Sequence, residues 1–129
     1  LDYDYYFKTT DLIKNKNLSG LLLLLNQVLT NGFEDVLFMN GLASHFRNLL
    51  VSKDESTLVL LDVGDNIKEK YKTQSQENEV GFLINGLEVL SNFDVSYKTS
   101  KNKRLLTEVT LMQLCADELS DGKKKSPVE

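Results

Sequence analysis

The sequence predicts an all-α domain of five or six packed antiparallel helices. Three observations lead there. Apolar residues recur every three or four positions over most of the chain, the spacing of one face of a helix. The only proline is Pro127, so no ring interrupts the backbone earlier. The one stretch with strand-like β-branched content, Thr57 to Val63, has no second strand to pair with and is assigned to a short helix or turn.

The elements follow in order. Tyr3 to Lys14 places Tyr5, Tyr6, Thr9, Leu12 and Ile13 at helical spacing. Asn15-Lys16-Asn17 ends that helix, and Asn17 or Ser19 can cap the next. "SGLLLLLNQVLTNG" holds five consecutive leucines, too many for one face, so this helix is expected to be wedged between neighbours and stopped at Asn31-Gly32. A third helix spans about Phe33 to Val51, with Val36, Met39, Ala43, Phe46 and Leu50 in one row and Leu42 and Leu49 widening it. Another is expected around Asp65 to Lys72. The penultimate helix, about Asn78 to Tyr97, carries Val80, Ile84, Leu87, Leu90 and Tyr97 on one stripe, with Leu83 and Phe93 beside it. Gly81 and Gly86 inside it each cost about 1 kcal/mol relative to Ala, which indicates either a close helix contact or simple tolerance. The last helix, Lys103 to Leu119, shows Leu105, Val109, Met112, Ala116 and Leu119 on one face and Leu106 alongside. The organisation expected is a helical domain over 1–119 and a polar, disordered linker tail over 120–129.

Composition limits what such a domain can do. With 129 residues, 41% hydrophobic and 26% charged, it can bury a core without metal or disulfides. A net charge of -4 argues against a protein built to grip phosphate backbones. Cys115, the sole cysteine, lies among apolar helical positions and reads as a small core residue in a reducing cytoplasm. The leucine-rich segment is interrupted by Asn26, Gln27, Thr30 and Asn31, so no membrane span is expected. A start on Leu1 and a polar end suggest a segment of a longer protein.

Catalytic patterns are missing. A zinc site needs three or four ligands, and the one His and one Cys stand far apart in sequence. His45 reads as a partly exposed helical histidine. "GDNIKEK" lacks the second glycine and the Lys-Ser/Thr of a phosphate loop, and "GFLING" falls inside a helix. No catalytic, cofactor or metal residues are therefore assigned.

The segment from Tyr97 to Leu111 is the most distinctive. Lys98, Lys101, Lys103 and Arg104 gather in a polar hinge with no acid between Val95 and Arg104. Asn102 is a good N-cap, and Arg104 and Glu108 lie four apart, placed to pair across one turn. Arg104 presents a rigid fork of donors, suited to a fixed structural or interface role. Tyr97, Ser100, Asn102, Arg104 and Glu108 are the candidate interface or structural residues.

The run "YKTSKNKRLLTEVTL" resembles the end of the third domain of the bacterial DNA polymerase III gamma/tau subunit. The likeness extends backwards through "FEDVLFMNGLASHFRNLLVSK" and the leucine-rich helix ending in Asn-Gly, and covers about Asp2 to Ala116. It implies a non-catalytic collar domain of a cytoplasmic clamp loader, which packs against like and related subunits while separate ATPase modules open a sliding clamp. The implied partners are those subunits and accessory replication proteins, with no cofactor, membrane or DNA contact by this segment. Two rivals stand beside it: a generic helical adaptor that takes an amphipathic peptide, and a weak nucleic-acid binder using Lys98 to Arg104.

Overall fold

The computed structural model describes residues 2–124, and side chains as far as Ala116. Within these bounds the chain forms seven helices and no strand: α1 (Tyr3–Lys14), α2 (Leu18–Thr30), α3 (Asp35–Val51), α4 (Glu55–Leu58), α5 (Asp65–Gln76), α6 (Val80–Tyr97) and α7 (Lys103–Lys124). The expected all-α bundle is what forms. The helix beyond the predicted count is α4, a single turn that occupies the start of the ambiguous Thr57–Val63 stretch. The last helix does not end at Leu119 but continues to Lys124, across the first part of the expected tail. The rest of that tail, 125–129, lies outside the described residues.

Local chemistry sets the boundaries. Asp2 caps α1 by accepting the Asp4 N–H, and Asn17 caps α2 by accepting the Gly20 N–H at 2.9 Å. Lys16, at φ 59, makes the left-handed turn between them. Gly32, at φ 93 with open space around it, terminates α2 where Asn31-Gly32 predicts a stop.

The core gathers where α3 lies along α6 and α6 along α7, with α1 and α2 packed across them. Ile13, Leu21, Leu25, Phe38, Leu42, Phe46, Leu49, Leu83, Leu111 and Leu114 are fully buried. The leucine-rich α2 contacts α1, α3 and α7, as its composition requires. Even so, Leu23 is 70% exposed. At Gly86 the Phe46 ring of α3 packs directly against the α6 backbone, since a Cβ there would fall 2.3 Å from that ring. Gly81 faces open space, so of the two readings offered for these glycines each fits one position.

The buried faces of α3 and α6 match the apolar spacing in part, and that of α7 does not. In α3 the core side is Phe38, Met39, Leu42, His45, Phe46 and Leu49, with Val36, Ala43 and Leu50 half-buried at its margin. In α6 it is Phe82, Leu83, Gly86, Leu90 and Phe93, leaving Val80 and Ile84 exposed. In α7 it is Thr107, Thr110, Leu111, Leu114 and Cys115. Of the predicted row, Leu105, Val109, Met112 and Ala116 point outward, and Leu119 lies outside the residues whose side chains are described. Side-chain hydroxyls explain the last case. Thr107 and Thr110 donate to the carbonyls of Lys103 and Leu106, at 2.9 and 2.8 Å, so they enter the core without an unpaired polar group.

His45 corrects another expectation: it is 2% exposed, not partly exposed. Its Nε2 lies 2.7 Å from Gln74 Oε1, while Gln74 Nε2 donates to Phe7 O and Asp11 Oδ1 at 2.9 and 2.8 Å. Those two acceptors fix the orientation of the Gln74 amide, so Nε2 of His45 is the donor. Burial holds the imidazole pKa down to about 4, against a smaller upward pull from Gln74.

Candidate interaction surface

The hinge between α6 and α7 is ordered by short-range bonds. Asn102 Oδ1 accepts the Leu105 N–H at 3.0 Å, the cap its position predicts. Ser100 takes part through its backbone: its carbonyl accepts from Lys103 Nζ at 3.0 Å. The same ammonium sits 5.0 Å from the centre of the Tyr97 ring. Arg104 Nε donates to Glu108 Oε2 at 3.0 Å, and Nη2 reaches Asn26 Oδ1 on α2 at 3.5 Å. Arg104 and Glu108 therefore meet as their spacing predicts. Lys98 and Lys101 are exposed.

Asp35, in the first turn of α3, is the organising residue that sequence reasoning missed. Tyr97 donates its hydroxyl to Asp35 Oδ1 at 2.7 Å, and the Thr107 hydroxyl, whose one proton goes chiefly to the Lys103 carbonyl, lies 3.2 Å from Oδ2. The Val36 N–H donates to Oδ1 at 2.8 Å. One carboxylate thus ties the end of α6 and the start of α7 to the start of α3. The Asp35 hydrogen bond is the main reason the Tyr97 phenol is pushed up to about 12, with burial and the nearby charges of Asp35 and Glu34 adding to it. The available signal was an acid in the first turn of a helix, which favours the dipole but does not announce a distant partner.

Beyond this hinge, α7 carries apolar residues on two opposite sides. Leu105, Val109 and Met112 are 51%, 38% and 36% exposed, and Ala116 is exposed with them. Spacings of four, three and four residues put them on one line roughly opposite Leu111 and Leu114. The four form a short apolar stripe on the outer face of α7.

Reactive groups are few. Cys115 is buried and free, as its apolar setting predicts, and burial pushes its thiol pKa up. Among the described residues no cluster of three or more His, Cys, Asp or Glu is arranged to hold a metal, and no helix is long and apolar enough to cross a membrane. The described residues thus define a helical bundle with an ordered basic hinge and, next to it, an outward apolar stripe on α7; Val80, Ile84 and Val95 of α6 are exposed as well. No protein-family model matches this chain, and no curated protein matches it.

Proposed function

We propose that this chain is a non-catalytic subunit-assembly domain, the collar of a cytoplasmic DNA clamp loader, acting in DNA replication by holding sister subunits in order. The observation that carries the assembly part is the outward seam of Leu105, Val109, Met112 and Ala116, immediately after the hinge. The replication part rests on the resemblance of Tyr97 to Leu111 and the helices before it.

The exposed parts of Leu105, Val109 and Met112 are much smaller than the roughly 800 Å² per partner of a stable pair, so in this reading the attached modules supply the remaining contacts. The hinge suits this role, since Asp35, Asn102 and Glu108 hold the start of α7 before any partner arrives. ATP binding and hydrolysis belong to other modules in this reading, and the partners are like and related collar domains.

The test is reconstitution. Full-length protein carrying Leu105→Gln and Met112→Gln should fold normally, because exposed substitutions shift stability by less than about 0.5 kcal/mol. It should fail to enter the multi-subunit loader on size-exclusion light scattering, while wild type enters. Normal incorporation of the double variant would overturn the role of the seam. The same seam also fits a single amphipathic peptide helix from a partner. A wild-type domain that binds such peptides but never joins loader subunits would favour that adaptor reading.

A further inference from the structure

A recess of about 340 Å³ opens beside α1, α3 and α5, well away in sequence from the hinge, lined by Asp2, Tyr3, Tyr6, Ser44, His45 and Tyr71 together with Gly41 and Asn48. Its polar character is one-sided. No lysine or arginine lines it, and Asp2 brings a carboxylate. Asn48 Nδ2 donates to the Tyr71 hydroxyl at 3.2 Å, and its Oδ1 accepts from Arg47. The amide is therefore engaged at both ends.

His45 places a buried, unpartnered acceptor in the wall of the recess. Because Nε2 carries the proton toward Gln74, Nδ1 presents a bare lone pair. That atom is buried and has no hydrogen-bond partner among the described residues. A buried acceptor left unmade is costly, so a group bringing an N–H to this place gains more than it would at an open surface. Around it stand electron-rich rings: Tyr3 meets Tyr71 edge to face at 6.3 Å, and Tyr71 lies 5.1 Å from His45. Tyr6 stays seated because Gly41 has no Cβ, which would collide with the phenol oxygen.

We propose that this recess binds a cationic N–H donor, a primary ammonium or guanidinium group, with Asp2 supplying the opposite charge, His45 Nδ1 the acceptor and the tyrosines aromatic walls. The proposal is independent of the assembly reading. The chemistry can arrive as a free amine or as a Lys or Arg side chain of another protein.

His45 is the only histidine, so its ring nitrogens report on the recess alone. The experiment is a ¹H–¹⁵N titration of the whole chain at neutral pH with butylammonium, butylguanidinium, neutral butanol, and blocked tripeptides centred on Lys or Arg. A saturable millimolar shift of the His45 Nδ1 resonance is expected with the cations and not with butanol. Ser44→Leu, at an exposed position on the lining, should abolish it. Asp2→Asn keeps a helix-capping oxygen, removes the charge and should weaken it about threefold, the effect of one exposed charge pair. Tripeptides binding more tightly than the free cations identify a protein side chain as the source, and the reverse order identifies a free amine. No saturable shift with any cation, equal binding of butanol, or an unchanged Asp2→Asn variant would overturn the proposal.

Discussion

Changing either glycine of α6 to alanine adds one methyl group, yet the two changes are expected to move stability in opposite directions. At Gly81 the new Cβ meets nothing within 4 Å, and the backbone is helical. Only the gain in helix propensity remains, about 0.5 kcal/mol this close to the helix start. At Gly86 the Cβ would stand 2.3 Å from one Phe46 ring carbon and 2.6 Å from another. Phe46 is fully buried, and its ring centre lies 5.6 Å from that of Phe82, so it has no solvent to retreat into. Overpacking of this kind costs about 1–3 kcal/mol, which exceeds the propensity gain of about 1 kcal/mol. The net expectation is that Gly86→Ala destabilises by up to about 2 kcal/mol while Gly81→Ala stabilises slightly. Urea unfolding measures both, and thermal midpoints should separate by several degrees. A Gly86→Ala protein as stable as Gly81→Ala would refute the close α3–α6 approach.

Three further outcomes follow from the buried and hinge contacts. His45 has its pKa depressed from 6.5 to about 4, so its contribution is fully present above pH 6.5 and is lost as pH falls through 4. That drop corresponds to about 3 kcal/mol, and His45→Gln should flatten the pH dependence of urea stability in this window. A His45 titration midpoint near the ordinary value would contradict its burial. Tyr97 has its pKa raised, so its contribution is complete below pH 10 and lost as pH rises through about 12. Tyr97→Phe should cost about 1 kcal/mol at neutral pH and Asp35→Ala about twice that, since Asp35 accepts from both Tyr97 and the Val36 N–H; denaturant curves of the two variants test the ranking. Arg104→Ala should cost only about 0.3–0.5 kcal/mol, fading with added salt, because its partner Glu108 is reached across one turn at a half-exposed position.

Helix positions were legible in the sequence because their punctuation is local. Asn17, the Asn31-Gly32 stop and Asn102 act on backbone groups within a few residues, and all three do so here. Which side of each helix faces inward was less legible. Apolar spacing ranks Leu105 above Thr107 and Ile84 above Gly86, but the core takes the second of each pair. A threonine hydroxyl satisfied by its own helix can be buried, and a glycine permits an approach that no larger residue allows. Within the candidate hinge, the Asn102 cap and the Arg104–Glu108 pair depend on short spacings and could be read directly. Asp35 could not, because its partners are 62 and 72 residues away. His45 was misjudged for the same reason: the groups that surround it come from α1 and α5.

The Asp35 junction also bears on the order of folding. Each of its two long-range bonds closes a loop of several dozen residues, and such closure is entropically delayed until nearer contacts have formed. The hinge end of the bundle should therefore close only after the helices it joins have formed, and the neighbouring Val36 amide should gain hydrogen-exchange protection later than amides in the middle of α3. Tied in this way, the outer face of α7 would take its final place only once the helices behind it are already formed.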